Sequence, residues 1–381
     1  MAEIALIPVT DWAELGDRWR ELEARSDCSF FQSWTWTGCL AEERFTDPVL
    51  LQAEHDGRVV ALALFNRHRG RLGCETLWLG ESGVPALDSV FIEHNGLLHD
   101  IAMPATVFTE CVQAMLMAGI ERRYGCGRRV VLSGVDDAVL AVLHDGSLRP
   151  WVRRSRPAPH VDVARIRRTG GGYLDALSAN ARYQVRRSNR AYERLGEVTV
   201  RHAGSEVEAY EFLAALVELH QATWVGRGKP GAFANPHFIR FHRELIRRGL
   251  PRGEIELLRI TAGEQIVGFL YNYRFRFRVL SYQSGFDYAD IGPHRKPGLT
   301  CHHWAIERAL QEGMNYYDFL AGEDRYKRSL SNAEVMLHWA EIGAATSLRR
   351  YVAQARDWLG GLRGNGRRGR ASHSTTNDAA L

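Results

Sequence analysis

A short apolar run at residues 4–9 predicts a strand, and the helical spacing over 12–24 predicts an amphipathic helix, with Asp11 and Glu14 at capping-box separation. Strands at 49–54 and 58–65 form a hairpin through Asp56-Gly57, a pair suited to a two-residue turn. Further strands at 76–79 and 88–92, a helix over 104–122 and a strand at 128–132 complete a mixed unit. Residues 150–159, rich in Arg and Pro, read as a connector, and Gly170-Gly171-Gly172 as a flexible joint.

The second half opens with a helix over 179–195, started by Ser178 and stopped by Gly196. Leu177, Ala181, Val185, Ser188, Tyr192 and Leu195 form its packing stripe, while Arg182, Arg186 and Arg190 form a parallel basic row. Next come a strand at 197–202, a helix with Tyr210, Leu213, Val217, His220 and Trp224 on one side, and a helix begun by Asn235-Pro236 and ended at Gly249. His220 reads there as a packed residue rather than a ligand. A meander at 254–261, 265–273 and 277–285 leads through a Gly/Pro-containing loop over 287–298 to a helix over 299–311 and strands at 315–320 and 335–342. In each half, helices precede a strand–turn–strand hairpin and a helix and strand follow it. The expected fold class is therefore α/β (α+β), two diverged copies of one fold, each a mainly antiparallel mixed sheet flanked by helices. The expected units are residues 1–160, residues 170–344, and a terminal helix with a mobile basic tail over 345–381.

Composition agrees: 381 residues suit two units, and 45% hydrophobic with 25% charged residues suits a soluble globular chain. No apolar run approaches the ~20 residues of a membrane span, so no membrane insertion is expected. Without a basic amino-terminal region, no secretion signal is expected either. Six cysteines scattered without CxxC pairs fit buried thiols in a reducing cytoplasm. Cys301, His302 and His303 are adjacent, so on a helix they point apart, and no metal site is expected. The net charge of +4 does not by itself imply nucleic acid. Only three of the 49 basic residues are lysines, which singles out Lys229, Lys296 and Lys327, all in predicted loops of the second half.

The segment SYQSGFDYADIGPHRKPGLTCHHWAIERALQEG couples a strand to a basic glycine loop and then directly to a helix. Free amides and the helix dipole favour an anion at such a helix start, Gly298 lets the backbone approach it, and Arg295 and Lys296 add charge. The arrangement suits a phosphate-bearing ligand. Arg67-His68-Arg69-Gly70 imitates the loop in the first half, but residues 74–79 beyond it read as a strand.

Arg295-Lys296-Pro297-Gly298-Leu299-Thr300 resembles the R/Q-x-x-G-x-G/A loop with which GNAT acetyltransferases hold the CoA pyrophosphate, with Thr300 standing where the family prefers Gly or Ala. The resemblance runs from the basic helix through LHQATWVGRGKPGAF to YYDFLAGEDRYKRSL. It is to the bacterial GNAT-like proteins associated with cellulose and exopolysaccharide synthesis, relatives of the Fem-type aminoacyl ligases with two tandem GNAT-like folds. It implies a degenerate first copy and a catalytic second copy. The implied reaction is N- or O-acyl transfer, most simply acetyl transfer, from acetyl-CoA or another acyl-CoA to a small-molecule or sugar acceptor. The pantetheine arm would follow the fourth strand, where Tyr282, Gln283 and Ser284 lie and a backbone amide polarises the thioester. The base candidates are Asp287, Glu323 and Asp324, and the acid candidates Tyr282, Tyr317 and Tyr326. Asp318 and Lys327 are further catalytic candidates, because a strand-end aspartate and a Tyr-Lys pair recur in the related proteins as they do here in YYDF and DRYKR. Arg325, Lys327 and Arg328 suit an anionic acceptor or the CoA 3′-phosphate. The glycine-rich loop over 226–235 suits an acceptor-side lid. Two other readings stay open: a Fem-type transferase using aminoacyl-tRNA, with the basic helix and the RGNGRRGR tail serving RNA, and a CoA-binding scaffold without catalysis.

Overall fold

The computed structural model describes residues 2–70, 75–104, 106–117, 128–145, 148–289, 292 and 294–343. The expected tail over 345–381, Cys74, Cys126 and the end of the helix expected over 104–122 lie outside them. The first half comprises β1 (Glu3–Pro8), α1 (Trp12–Glu23), α2 (Trp34–Arg44), β2 (Pro48–His55), β3 (Arg58–Arg69), β4 (Glu75–Leu79), β5 (Leu98–His99), α3 (Thr106–Met117), β6 (Arg128–Asp136) and α4 (Asp137–Asp145). There follow β7 (Trp151–Asp162), α5 (Val163–Thr169), α6 (Ala179–Glu193), β8 (Val198–His202), α7 (Glu206–Gly226), α8 (Pro236–Gly249), β9 (Ile255–Ala262), β10 (Gln265–Phe275), β11 (Arg278–Phe286), α9 (Pro297–Gln311), β12 (Tyr316–Asp318), α10 (Arg325–Leu330) and β13 (Ala333–Ile342).

Local chemistry sets most of these boundaries. Asp11 accepts from the amides of Ala13 and Glu14 to start α1, Ser178 accepts from Ala181 to start α6, and Asn235 accepts from His237 ahead of Pro236 in α8. Asp56 and Gly57 take the left-handed angles, φ 51° and 71°, of a tight hairpin turn. Three expectations are corrected, and α2 was not among the expected elements. Residues 88–92 form no strand, because the Asp88 carboxylate accepts from the amides of Ser82 and Gly83 and folds the segment into a loop. Residues 170–172 are no free joint: Gly170 caps α5 and Tyr173 is buried, its hydroxyl donating to the Leu330 carbonyl at 2.8 Å. Helix α2 gave no amphipathic signal because it is wedged between the halves, burying Trp34, Trp36, Cys39, Leu40 and Ala41 around its girth.

Residues 150–159 are not a connector but most of β7, a strand inside the sheet. The strands join in one sheet ordered β1-β2-β3-β4-β6-β13-β7-β12-β11-β10-β9-β8, with β5 against β3. The last strand of each half thus crosses to the other: β7 pairs with β12, and β13 pairs with β6 as well as β7. Proline lacks a ladder donor and is normally kept out of central strands. Here Pro157 and Pro159 turn their carbonyls to Gly322 N at 2.9 Å and Phe319 N at 3.1 Å. In an antiparallel ladder the nitrogen points the same way. Their missing donors therefore face a chain that has already left the β12 ladder.

One core is shared by both halves. Phe30 stacks on Tyr273 with centroids 4.4 Å apart, and Trp36 meets Phe241 edge-on at 5.1 Å. A second core lies under α5, α6 and α9. Helix α7 sits close on β11 because Gly285 has no side chain: a Cβ there would stand 2.4 Å from the Leu216 carbonyl oxygen. Cys28, Cys39, Cys111 and Cys301 are buried free thiols. Among the described residues no helix is long and apolar enough to cross a membrane.

Candidate active site

Strand β11 is bonded to β10 along its whole length, but on its other side it runs parallel to β12 only from Arg278 to Leu280. Beyond Asp318 the chain bonds instead to β7, so residues 281–286 keep an open edge in the middle of the sheet. Tyr282 is an extra residue opposite the Tyr271–Asn272 step of β10, a bulge that bends β11 at the same place. Against this edge lies a cavity of ≈ 500 Å³. Ser284 and Phe286 of β11 form one wall, His220, Thr223 and Trp224 of α7 with Arg227 and Lys229 another, the first turn of α9 closes one end, and Asp324, Arg325 and Tyr326 the remaining side. A cleft of ≈ 20 Å³ shares Ser284 and Tyr326 with it and follows the edge back to Ser281, past Gln283 and Lys327.

The first turn of α9 has no side-chain cap, and Pro297 supplies no N–H, so the amides of Gly298 and Leu299 are the donors at the cavity's end. The turn is held from behind by α6. Ser188 Oγ accepts from Lys296 N at 2.9 Å, donates to Lys296 O at 3.1 Å and meets Thr300 Oγ1 at 2.8 Å. This accounts for threonine where the resembling loops carry Gly or Ala: Thr300 is fully buried against Ser188 and takes no part in the cavity wall, contrary to the binding role expected of it. Arg295, Lys296, Pro297, Gly298 and Leu299 all line the cavity. Lys296 also donates to Gln184 Oε1 at 3.0 Å.

The expected acid–base groups separate. Asp287 is occupied in a turn, its carboxylate accepting from Ala289 N at 2.9 Å, and Glu323 is exposed outside the cavity. Asp324 lies in the wall. Tyr282 is buried among Trp36, Phe238 and Tyr273, and burial pushes its phenol far above the usual range. Tyr317 is fully buried, with its hydroxyl 3.0 Å from His302 Nδ1. Tyr326, half-buried and stacked on His302 at 5.7 Å, is the tyrosine that lines both the cavity and the cleft. Burial raises its phenol too, so it stays protonated at neutral pH. Cys301, His302 and His303 do diverge, His302 to Tyr317 and His303 to Asn189. His220 is packed, as expected, but it also forms part of the cavity wall. Its place at helical spacing on an apolar face disguised that second property.

Asp318 meets the first half rather than the cavity, and Lys327, which lines the cleft, holds the loop that follows it. Asp318 Oδ2 pairs with His94 Nε2 at 3.0 Å, and its Oδ1 accepts from Leu320 N at 2.7 Å. Glu93 accepts from Ala321 N at 2.5 Å, and Lys327 Nζ donates to Ala321 O at 3.1 Å and Leu320 O at 3.4 Å. Lys327, expected in a loop, is buried on α10. His94 and Leu320 both take left-handed angles, φ 46° and 61°, as the two loops meet. No spacing in the sequence announces Glu93 and His94, 225 residues or so upstream of their partners.

Burial disfavours the His94 imidazolium, but Asp318 and Glu93 outweigh it and the pKa is raised. For Asp318, burial is likewise outweighed, by His94, and the pKa is lowered. The imidazolium's contribution to stability is thus complete below the unfolded value of about 6.5 and disappears as pH rises through the folded one, while on the acid side the carboxylate's contribution is lost as pH falls below about 4. The stability difference between the parent and His94→Gln, from urea unfolding, should therefore shrink as pH rises from about 6 to 9. A difference constant over that range would remove the charged pair.

Residues 179–328 match the model of the acetyltransferase (GNAT) domain. The matched segment holds the cavity, the open edge and the first four residues of α10, so the second half carries a GNAT-fold acyltransferase domain, which implies a donor of the acyl-CoA type in general. Over the whole chain the fold, one mixed and mainly antiparallel sheet flanked by helices, is shared with several solved structures. FemX shares it at 10% identity, over 89% of this chain and 96% of that one, with a TM-score of 0.57. The DUF2156 domain of a lysylphosphatidylglycerol synthetase candidate from Agrobacterium fabrum does so at 12% identity, over 95% and 100% of the chains, with a TM-score of 0.53. L-PGS from Bacillus licheniformis does so at 14%, over 88% and 94%, with a TM-score of 0.51. At these identities the likeness is one of fold. No curated protein matches the sequence significantly.

Proposed function

We propose that the second half transfers an acyl group, most simply acetyl, from acyl-CoA to an amine or hydroxyl of a small-molecule or sugar acceptor in the cytoplasm. The observation that carries this reading is the single cavity that joins the uncapped start of α9 to the open edge of β11. The amides of Gly298 and Leu299, with Arg295 and Lys296, would hold the pyrophosphate. Main-chain amides on the open edge between Ser281 and Phe286 would take the charge that develops on the thioester oxygen. Tyr326 would protonate the departing sulfur.

One observation favours aminoacyl-tRNA as the donor instead. A second groove, ≈ 520 Å³, runs along α6 and is lined by Arg182, Arg186, Arg187, Arg190, Arg194 and His294, a surface suited to a polyanion. Calorimetry separates the two. Saturable binding of CoA and acetyl-CoA, with thiol release on an amine or sugar panel, supports the acyl-CoA reading. Binding of tRNA without any binding of CoA overturns it. Saturable CoA binding with no turnover leaves a sensor.

A further inference from the structure

We propose that His220 is the catalytic base of this site, the group that takes the proton from the acceptor's amine or hydroxyl; the assignment rests on the acyl-CoA reading above. His220 lies near the end of α7, is 2% exposed, and shares the cavity wall with Thr223 and Trp224. Its ring is held in place by Phe233, edge-on at 4.9 Å, and by Trp224 at 5.8 Å.

The tautomer follows from the neighbouring amide. Gln221 Nε2 donates to the Pro230 carbonyl at 2.9 Å, which orients the amide and leaves Oε1 3.2 Å from His220 Nδ1. An amide oxygen only accepts, so Nδ1 carries the hydrogen and Nε2 carries the lone pair. The arrangement is locked by Gly231 at φ 72°, where a Cβ would fall 2.3 Å from Gln221 Oε1. The loop expected to serve as an acceptor-side lid thus sets the histidine's proton. Nε2 itself is buried without a protein partner. A buried acceptor lacking a donor is uncommon, and a catalytic role is one of the few accounts of such a group.

The cavity's cations and its threonine hydroxyl are poorly suited to the task. Arg227, Lys229, Arg295, Lys296 and Arg325 are cations, and the Thr223 hydroxyl donates to the Leu219 carbonyl at 3.0 Å. Asp324 is the wall's carboxylate, on the same loop and helix start as Tyr326. His220 stands on α7, so the base and the acid come from different walls with β11 as a third. Burial lowers the imidazole pKa to about 4, so the lone pair is available throughout the neutral range. In the step, the acceptor's N–H or O–H bond breaks and its proton moves to Nε2. The freed pair bonds to the acyl carbon, the carbon–sulfur bond breaks, and sulfur takes the Tyr326 proton. His220 then releases its proton to water and Tyr326 regains one, so acceptor and acyl-CoA give acylated acceptor and CoA.

Bromoacetyl-CoA tests this without knowledge of the acceptor. Its methylene sits one bond beyond the thioester carbonyl, where an adjacent neutral imidazole forms a carbon–nitrogen bond as bromide leaves. Peptide mass spectrometry on the intact chain should find one adduct, on His220, suppressed by excess CoA and absent from His220→Gln. An adduct elsewhere, or none in a protein that binds CoA by calorimetry, overturns the assignment of His220 alone. Absence of CoA binding overturns the acyl-CoA reading and this assignment with it. Labelling of the parent protein decides the matter even where His220→Gln misfolds.

Discussion

Gly298→Asp is expected to fold like the parent and to lose CoA. A carboxylate in the first turn of a helix is favourable to the helix, by about 0.3–1 kcal/mol, so α9 has no reason to unravel. The same carboxylate would stand beside the amides of Gly298 and Leu299 at the end of the cavity, where the proposed pyrophosphate must sit. Its Cβ would also press the Phe286 ring, which lies 3.2 Å from the position it would take. Repulsion and crowding act together, and an affinity loss of about 10- to 100-fold, or about 1.4–2.8 kcal/mol, is expected. Calorimetry with CoA, alongside thermal unfolding of the ligand-free protein, separates binding from stability. An unchanged affinity would show that the strand-to-helix junction does not hold phosphate. Gly298→Ala, which adds bulk without charge, should lose less.

Lys327→Met should have the larger effect on stability. Lys327 is 2% exposed and holds the 320–321 turn through two carbonyls. Burial pushes its ammonium pKa down while Glu93, Asp324 and Asp318 oppose the shift. The neutral thioether fills similar space but donates nothing. The carbonyls of Leu320 and Ala321 would lose their donor, and Glu93, whose pKa burial already raises, would lose its cation. Breaking such a buried set by removing one partner costs about 3–5 kcal/mol. Denaturant unfolding followed by tryptophan fluorescence measures it. Glu93→Gln in the Lys327→Met background should recover part of the loss, since the uncompensated carboxylate is then gone. A loss below about 1 kcal/mol would mean that the ammonium is not part of the support. The network also fixes α10, so the loss should extend to Tyr326 and any activity that depends on it.

Legibility in the sequence followed the range of the interaction. Ser178, Asp11, Asn235-Pro236 and Asp56-Gly57 act within a few residues of themselves, and each produced the boundary expected of it. The RKPG loop announced itself the same way, because its charge, its glycine and its helix are contiguous. Thr300 looked like a departure in a phosphate loop until Ser188, on another helix, explained it. His220 looked like packing because packing and cavity lining share one helical face, and only the fold of the 227–235 loop over Gln221 reveals a defined tautomer.

The sequence by itself determined those helices and strands that carry their own caps, turns or periodicity, and the contiguity of strand, basic glycine loop and helix from β11 to α9. Those are properties of neighbouring residues, readable from periodicity and capping. Only the tertiary structure decided that β7 and β13 cross between the halves, that prolines 157 and 159 lie inside a sheet, and that Glu93 and His94 support the loop after β12. Each depends on which strand a segment pairs with across more than a hundred residues. No local pattern records that choice, because an exposed edge and an interior position differ only in what the rest of the chain brings to them.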